Sequence, residues 1–184
     1  MPSKQISSKQ PSITDLKRYL KVRSQGELIE DIAELFKKIP AVKDYYQLKL
    51  DPQSEDQVIE KYRKVIQDEF FPARGFGKAR LSVARKAVND YKKIANSTTS
   101  IADIMLFYVE QGVKFTQAYG DIDEPFYNSM ESMYGKALEW ITKYDLQDIF
   151  QPRCQSIVTD TSGIGWGFHD ALGDMYYEAF SSRN

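Results

Sequence analysis

The chain has 184 residues, of which 42% are hydrophobic, 28% are charged and 13% are aromatic. That aromatic content excludes a disordered chain, and ten Gly with seven Pro are too few for a sandwich or barrel rich in tight turns. A single cysteine, Cys154, excludes an intramolecular disulfide, and no apolar run reaches the roughly 18 residues that span a bilayer. We therefore expect a cytoplasmic protein with no membrane partner.

The net charge of −1 conceals opposite charges on the two halves of the chain. Residues 1–100 hold 20 Lys and Arg against 13 Asp and Glu, whereas residues 101–184 hold 5 against 13. The first half is therefore +7 and the second half −8. This asymmetry favours either an anion-binding half or two halves that attract each other within one fold, and both interpretations are open.

Helix signals dominate the first half. Ser12 with Asp15, and Ser24 with Glu27, have the spacing of a capping box at a helix start. Ser54 is expected to cap the fourth helix. We predict five helices here, over residues 14–23, 27–39, 41–50, 55–71 and about 78–95.

The second half is also helical in pattern. Residues 96–100, Asn-Ser-Thr-Thr-Ser, form a predicted linker, and Pro125 suits the first turn of a helix, where its missing N–H costs nothing. No segment alternates with a period of two, so no strand is expected. We predict four helices, over residues 101–120, about 124–143, 146–158 and about 167–181.

These elements predict an all-α protein of eight or nine helices in antiparallel αα-hairpins, as a helical bundle or a short irregular α-array. Residues 1–12 are expected to form a disordered lead-in. Residues 13–184 are expected to form a single helical domain, or two packed lobes over 13–95 and 100–184.

A basic segment lies between the fourth and fifth helices. Residues 70–88, FFPARGFGKARLSVARKAV, carry five Lys and Arg and no acid. Cations at the N-terminus of the fifth helix, and the acids Asp68 and Glu69 at the end of the fourth, have the wrong sign for the helix macrodipoles. Violations of local rules tend to mark functional sites.

Two interpretations of this segment are open. In the first, Asp68 and Glu69 pair with Arg74, Lys78 or Arg80 across the turn, and Arg80 locks the hairpin. In the second, an anion binds at the N-terminus of the fifth helix, where glycines allow close approach to backbone N–H groups. The candidate anion-binding residues are Arg74, Gly75, Gly77, Lys78, Arg80, Arg85 and Lys86.

The same residues carry a resemblance to a known family. The stretch FFPARGFGKARLSVA resembles the signature of an uncharacterised bacterial family of small helical proteins, a domain of unknown function with an F-F-P-x-R-G-[FY]-G-K-A-R motif. The similarity extends through the first five predicted helices, residues 13–95. The resemblance implies helices and assigns no catalytic residue.

The only histidine, His169, lies in the first turn of the last predicted helix. It is the one catalytic candidate, and its alternative role is to cap or pack at the edge of the core. The acids of this helix point about 100° away from it, so we expect no metal site, and the preceding glycines lack the βαβ context of a dinucleotide site. No cofactor is expected.

We therefore expect a non-catalytic binding module whose basic hairpin holds nucleic acid or another polyanion. One alternative is a helical protein–protein scaffold or homo-oligomer, in which the opposite charges mediate partner docking or self-association. Another is a small enzyme acting on an anionic metabolite held by Arg74, Lys78 and Arg80, with His169 as acid–base. The enzyme requires the two ends of the chain to meet in space.

Overall fold

The computed structural model describes residues 10–181, and of the expected lead-in over 1–12 only residues 10–12 fall within that range. The described residues form nine α-helices and no strand, which confirms the predicted all-α class. The helices are α1 (Ile13–Lys21), α2 (Gln25–Lys38), α3 (Pro40–Leu50), α4 (Glu55–Phe70), α5 (Leu81–Ile94), α6 (Thr98–Tyr119), α7 (Glu124–Lys143), α8 (Gln147–Asp160) and α9 (Phe168–Ser181).

Both predicted capping boxes are present. The Asp15 N–H donates to the Ser12 hydroxyl at 3.2 Å, and the Ser12 N–H donates to the Asp15 carboxylate at 3.0 Å. Ser24 and Glu27 repeat this exchange at the start of α2. The prediction for Ser54 is wrong: it ends a 3₁₀ turn, and its hydroxyl donates to the carbonyl of the preceding Asp51 instead of capping α4.

Two other boundaries differ from the predictions. The fifth helix begins at Leu81, because residues 78–80 belong to a loop that is held against the end of α4. The predicted linker is shorter than expected, since the Ser97 hydroxyl accepts a hydrogen bond from the Ser100 N–H and caps α6. Thr98 to Ser100 therefore form the first turn of α6.

The chain divides into two compact units, the first ending at Lys43 and the second beginning at Asp44. The first unit contains α1, α2 and the start of α3. Neither α1 nor α2 has a buried residue. This boundary does not coincide with the lobe boundary considered at residues 96–100.

The second unit has one hydrophobic core, to which helices on both sides of residues 96–100 contribute. Within it, α4 packs on α5 and α6, α7 packs on α6 and α9, and α8 packs on α9 and α6. The largest fully buried side chains are mostly aromatic and include Phe70, Tyr91, Tyr108, Phe126, Tyr127, Tyr134 and Phe168. Such rings dominate the energetics of a helical core.

An ion-pair network crosses this unit, and one of its pairs, Arg63 with Asp103, joins the oppositely charged halves. Arg153 on α8 donates to Glu110 at 2.6 Å and to Asp103 at 2.5 Å, and Asp103 also pairs with Arg63 on α4. The network links three helices of the core. The Arg153 pairs lie within the second half, so among residues 10–181 the only ion pair between the two halves is Arg63–Asp103, and the charge asymmetry as a whole is not accounted for by ion pairing inside the fold.

Among residues 10–181, every helix is too short or too polar to cross a lipid bilayer.

Candidate nucleic-acid interface at the loop between α4 and α5

The basic segment forms a closed loop, residues 71–80, that we call the α4–α5 loop. Glu69, buried in the last turn of α4, accepts hydrogen bonds from the Arg80 side chain, Nε at 2.9 Å and Nη2 at 2.6 Å, and from the Arg80 N–H at 3.2 Å. The Arg80 guanidinium holds the pKa of the Glu69 carboxyl below its usual range. A carboxylate of the chain itself therefore lies at the N-terminus of α5, and the predicted pairing of Arg80 with Glu69 is confirmed.

The predicted partner Asp68 is engaged elsewhere. It pairs with Lys64, one turn earlier on α4, at 3.3 Å. A further backbone bond closes the loop, because the Ala79 N–H donates to the Glu69 carbonyl at 2.7 Å. Glu69 thus holds residues 79 and 80 through both its side chain and its backbone.

Gly77 allows this closure. A Cβ at Gly77 would lie 1.9 Å from the carbonyl oxygen of Phe70 and 2.9 Å from that of Glu69, which only a missing side chain permits. Gly75 has a φ of 76°, in the left-handed region that favours glycine. Both glycines were predicted to let an anion approach the backbone. In the structure, Gly77 instead lets the loop lie directly on the end of α4.

The tip of the loop is exposed and basic. Arg74 and Lys78 are exposed, and neither makes a hydrogen bond or salt bridge to another residue in the range 10–181, although the charge of Lys78 helps to lower the pKa of Glu69. Between them stands Phe76, whose residue surface is 83% exposed. Its ring lies edge-on to that of Tyr119, at the end of α6, with 6.4 Å between the centroids. The sequence of the tip thus places an accessible aromatic ring between two exposed cations.

A chain of rings supports this tip from the core. Phe71 stacks on Tyr119 at 6.2 Å, and Phe115 lies 4.8 Å from Tyr119. Phe115 in turn contacts the buried Phe70 at 5.7 Å. Each pair falls within the distance range of favourable aromatic contacts. Tyr119 is therefore a fixed platform beside Phe76.

The two remaining basic candidates, Arg85 and Lys86, face other partners. Arg85 is half-buried and donates to the Ser129 hydroxyl of α7 at 2.9 Å and to that of Ser132 at 3.3 Å. Lys86 pairs with Asp90, one turn further along α5. These contacts direct both side chains away from the loop tip that carries Arg74 and Lys78. The predicted anion-binding residues therefore do not form one site.

His169 lies in the first turn of α9, as predicted. Its Nδ1 is 3.1 Å from the Val158 carbonyl and 2.9 Å from the Thr161 hydroxyl. Because a carbonyl only accepts, Nδ1 carries the proton in the neutral ring, and Nε2 is the basic nitrogen. These contacts fix the ring at the edge of the core and leave one nitrogen available.

A groove of about 730 Å³ lies between α8 and α9, and His169 lines it together with polar residues such as Gln151 and Asp170. Neither Arg74 nor Lys78 lines this groove. Within residues 10–181, no group of three or more potential metal-binding side chains converges. His169 therefore does not line the same groove as the cations that the enzyme hypothesis requires.

Two residues of the tip, Phe76 and Tyr119, were not among the candidates predicted from the sequence. Phe76 had a local signal, since a large aromatic between two glycines in an acid-free segment is poorly placed to enter a core. Tyr119 had none, because its position beside Phe76 depends on how α6 packs against the end of α4.

Comparison with known proteins agrees with the resemblance noted in the sequence. The model described as "Family of unknown function (DUF6155)" matches residues 11–180. The match extends through the C-terminal half, beyond the residues 13–95 on which the resemblance rested. No curated protein and no solved structure matches the chain significantly.

Proposed function

The chain belongs to DUF6155, a family of unknown function, and we propose that it is a non-catalytic cytoplasmic module that binds single-stranded nucleic acid through the tip of the α4–α5 loop. One observation carries the proposal. Phe76 is almost fully exposed between Arg74 and Lys78, two exposed cations for which the structure records no hydrogen bond or salt bridge among residues 10–181.

The chemistry of the tip matches a single strand better than a duplex. Unpaired bases present flat faces that stack on exposed aromatic rings, each stack contributing about 1–3 kcal/mol. Phe76 and Tyr119 offer two neighbouring rings of this kind. Arg74 and Lys78 supply positive charge for the phosphates on either side of a stacked base. In a duplex the same faces are covered by neighbouring base pairs.

The loop is also arranged before any ligand arrives. The Glu69–Arg80 pair and the Ala79 backbone hydrogen bond hold the C-terminal end of the loop. Gly77, which has no side chain, allows the loop to lie against the end of α4. A prearranged contact surface loses less conformational entropy on binding than a free loop does. The cations predicted to bind an anion thus have two roles: Arg80 fixes the loop, and Arg74 and Lys78 stay exposed to a ligand.

Fluorescence anisotropy with a labelled oligothymidine of about ten nucleotides, near the site size of small single-strand binders, tests the proposal. We expect Phe76→Ala, and separately Arg74→Ala with Lys78→Ala, to weaken binding at least about tenfold, which corresponds to about 1.4 kcal/mol. Matched controls are Tyr177→Ala, which removes another exposed aromatic, and Lys43→Ala with Lys49→Ala, which removes two exposed charges on α3. The controls should bind like the wild type.

Inorganic polyphosphate separates base recognition from charge attraction, because it has the phosphates without the bases. We expect Phe76→Ala to bind polyphosphate as the wild type does while losing the oligonucleotide. Equal losses for both ligands would show a general polyanion surface and contradict the assignment to nucleic acid. Wild-type protein that binds neither ligand would contradict the proposal as a whole.

A further inference from the structure

Helices α5 and α7 carry a second group of cations, none of which belongs to the α4–α5 loop. Lys92, near the end of α5, and Lys136 and Lys143, on α7, are exposed. The Nζ of Lys92 lies 4.1 Å from the centre of the Trp140 ring, and Trp140 stands between the two other lysines on α7. We call Lys92, Lys136 and Lys143 the lysine patch.

Two aromatic rings hold the lysine patch in place. The Trp140 Nε1–H donates to the Thr98 carbonyl at 3.0 Å, which fixes the ring on which Lys92 lies. The Tyr144 ring lies 4.4 Å from the Trp140 ring, and the Nζ of Lys143 lies 5.2 Å from the Tyr144 ring. Contacts between a cation and a ring at these distances are attractive. Lys92 and Lys143 are therefore held at one pair of adjoining rings.

No salt bridge neutralises the lysine patch within residues 10–181. Asp90, an acid of α5, pairs instead with Lys86 and Lys93. Glu139, one turn before Lys143, forms no salt bridge with any member of the lysine patch. Three lysines with this one glutamate leave a local charge of +2.

The three cations also influence one another. Partial burial of the group, followed by the charges of Lys143 and Lys136, lowers the pKa of Lys92. Like charges placed close together are unfavourable for the folded chain. Residues 101–184 carry five Lys and Arg against 13 Asp and Glu, and two of those five cations belong to the lysine patch. A fold that keeps like charges together within its acidic half breaks a local rule, as functional surfaces often do.

The spacing of the lysines indicates the chemistry of a ligand. Lys136 and Lys143 are seven residues apart, which is about 10 Å along a helix that rises about 1.5 Å per residue. Lys92 lies at Trp140, between them. A single phosphate concentrates its charge at one point, whereas a linear chain of phosphates spreads its charge along a line. Ammonium groups bind phosphate oxygens through charge-assisted hydrogen bonds. We propose that the lysine patch binds a linear oligophosphate group, such as a triphosphate.

A nucleic-acid strand would be a poorer occupant, because the lysine patch offers no open ring to a base. Trp140 is half-buried and is already in contact with Lys92 and Tyr144. Phe76, in the α4–α5 loop, is by contrast 83% exposed. Oligophosphate binding by the lysine patch and oligonucleotide binding by the loop therefore use different residues, and each can fail without the other.

Isothermal titration calorimetry of the full chain with inorganic tripolyphosphate tests the proposal. Lys136→Gln with Lys143→Gln removes two of the three charges and should weaken binding at least about tenfold, since hydrogen bonds between charged groups are lost. Arg74→Ala with Lys78→Ala is the matched control, because it removes two exposed cations from the α4–α5 loop instead. The control should bind tripolyphosphate like the wild type.

A nucleoside triphosphate carries the same phosphate chain, so ATP is titrated beside tripolyphosphate. Both should bind, and both should be weakened by Lys136→Gln with Lys143→Gln. Equal affinities would support the free inorganic chain as the ligand, and tighter binding of ATP would support a nucleotide. Adenosine, which has the base without the phosphates, should not bind.

Thermal unfolding separates ligand binding from a purely structural role. Without ligand, Lys136→Gln with Lys143→Gln should melt at or above the wild-type temperature, because the substitutions remove repulsion. Tripolyphosphate should then raise the melting temperature of the wild type and of the loop control, but not that of this variant. A variant that melts below the wild type without ligand, or that binds tripolyphosphate as tightly, would overturn the proposal. Wild-type protein that binds neither phosphate ligand, or that binds tetraglutamate equally well, would also overturn it.

Discussion

Arg80 and Glu69 form a two-point ion pair across the α4–α5 loop, with Nε and Nη2 of the arginine donating to the two carboxylate oxygens at 2.9 and 2.6 Å. Paired guanidinium–carboxylate contacts of this geometry fix orientation as well as supplying energy. The pair explains how a cation can lie at the N-terminus of α5 and an acid at the C-terminus of α4. Each charge offsets the unfavourable interaction of the other with its helix macrodipole. It also separates Arg80, which holds the loop, from Arg74 and Lys78, which remain exposed.

The Glu69–Arg80 pair should make the stability of the protein depend on pH. Because Arg80 lowers the pKa of Glu69 in the folded state, the unfolded state binds more protons as the pH falls. The stabilisation is therefore complete above the ordinary glutamate pKa of about 4.3 and is lost as the pH falls through the lower, folded value.

We expect the difference in urea midpoint between the wild type and Glu69→Gln to be constant near neutral pH and to shrink below about pH 4. Glu139→Gln, at an exposed position on α7, is the matched control and should have little effect at any pH. A Glu69→Gln difference that persists unchanged into strong acid would show that the carboxylate charge does not contribute.

Replacing either loop glycine with alanine should destabilise the protein, for a different physical reason at each position. Gly77→Ala forces a Cβ into the Phe70 carbonyl and should lower the free energy of unfolding by more than about 1 kcal/mol. Gly75→Ala meets no neighbour but must hold φ at 76°, which costs about 1–2 kcal/mol. Gly173→Ala, inside α9 where a Cβ meets only ordinary contacts, should instead stabilise by about 0.5–1 kcal/mol.

Thermal and urea unfolding of these three variants would check the loop geometry. If Gly77→Ala were as stable as the wild type, the loop would not lie on the end of α4.

Arg153 should be important for stability because it holds two acids of the core network. Its side chain donates to Glu110 and Asp103 and is mostly buried between α6 and α8. Arg153→Met keeps much of the side-chain volume but leaves the carboxylates short of a partner, which should cost about 1–3 kcal/mol in urea unfolding. Arg18→Met, in the exposed pair with Asp15, should leave the midpoint unchanged. Equal effects of the two substitutions would contradict this account of the network.

Cys154 should be unreactive in the native protein. Its thiol is buried on α8, and burial raises its pKa to about 12, so very little thiolate exists near neutral pH. We expect no reaction with a disulfide reagent such as DTNB until urea unfolds the chain, and one equivalent of released thiolate afterwards. Rapid labelling of the folded protein would show that α8 opens or that the thiol is accessible.

The parts of the fold that local chemistry determines were predictable from the sequence. Ser12 and Ser24 satisfy backbone donors within three residues, so both helix starts followed from spacing alone. Ser54 has the same residue type, but the adjacent Asp51-Pro52 turn takes its hydroxyl, and that competition was not visible in the capping pattern.

The site required tertiary information. The start of α5 was misplaced because Ala79 and Arg80 bind Glu69, and a contact between two elements can override helix propensity. The charge pattern did suggest the Arg80–Glu69 pair. It could not show that Arg85 reaches Ser129 on α7, or that Tyr119 stands beside Phe76.

Oligonucleotide binding measured at several salt concentrations would show whether Arg74 and Lys78 contact phosphates. Each phosphate contact to a single strand contributes about 0.7 to the slope of log K against log salt concentration. We expect salt-dependent binding by the wild type and a slope reduced by about 1.4 in Arg74→Ala with Lys78→Ala. Phe76→Ala should lower the affinity at every salt concentration without changing the slope. Binding that is absent, or a slope that these two cations do not affect, would contradict the assignment of the α4–α5 loop as a nucleic-acid contact surface.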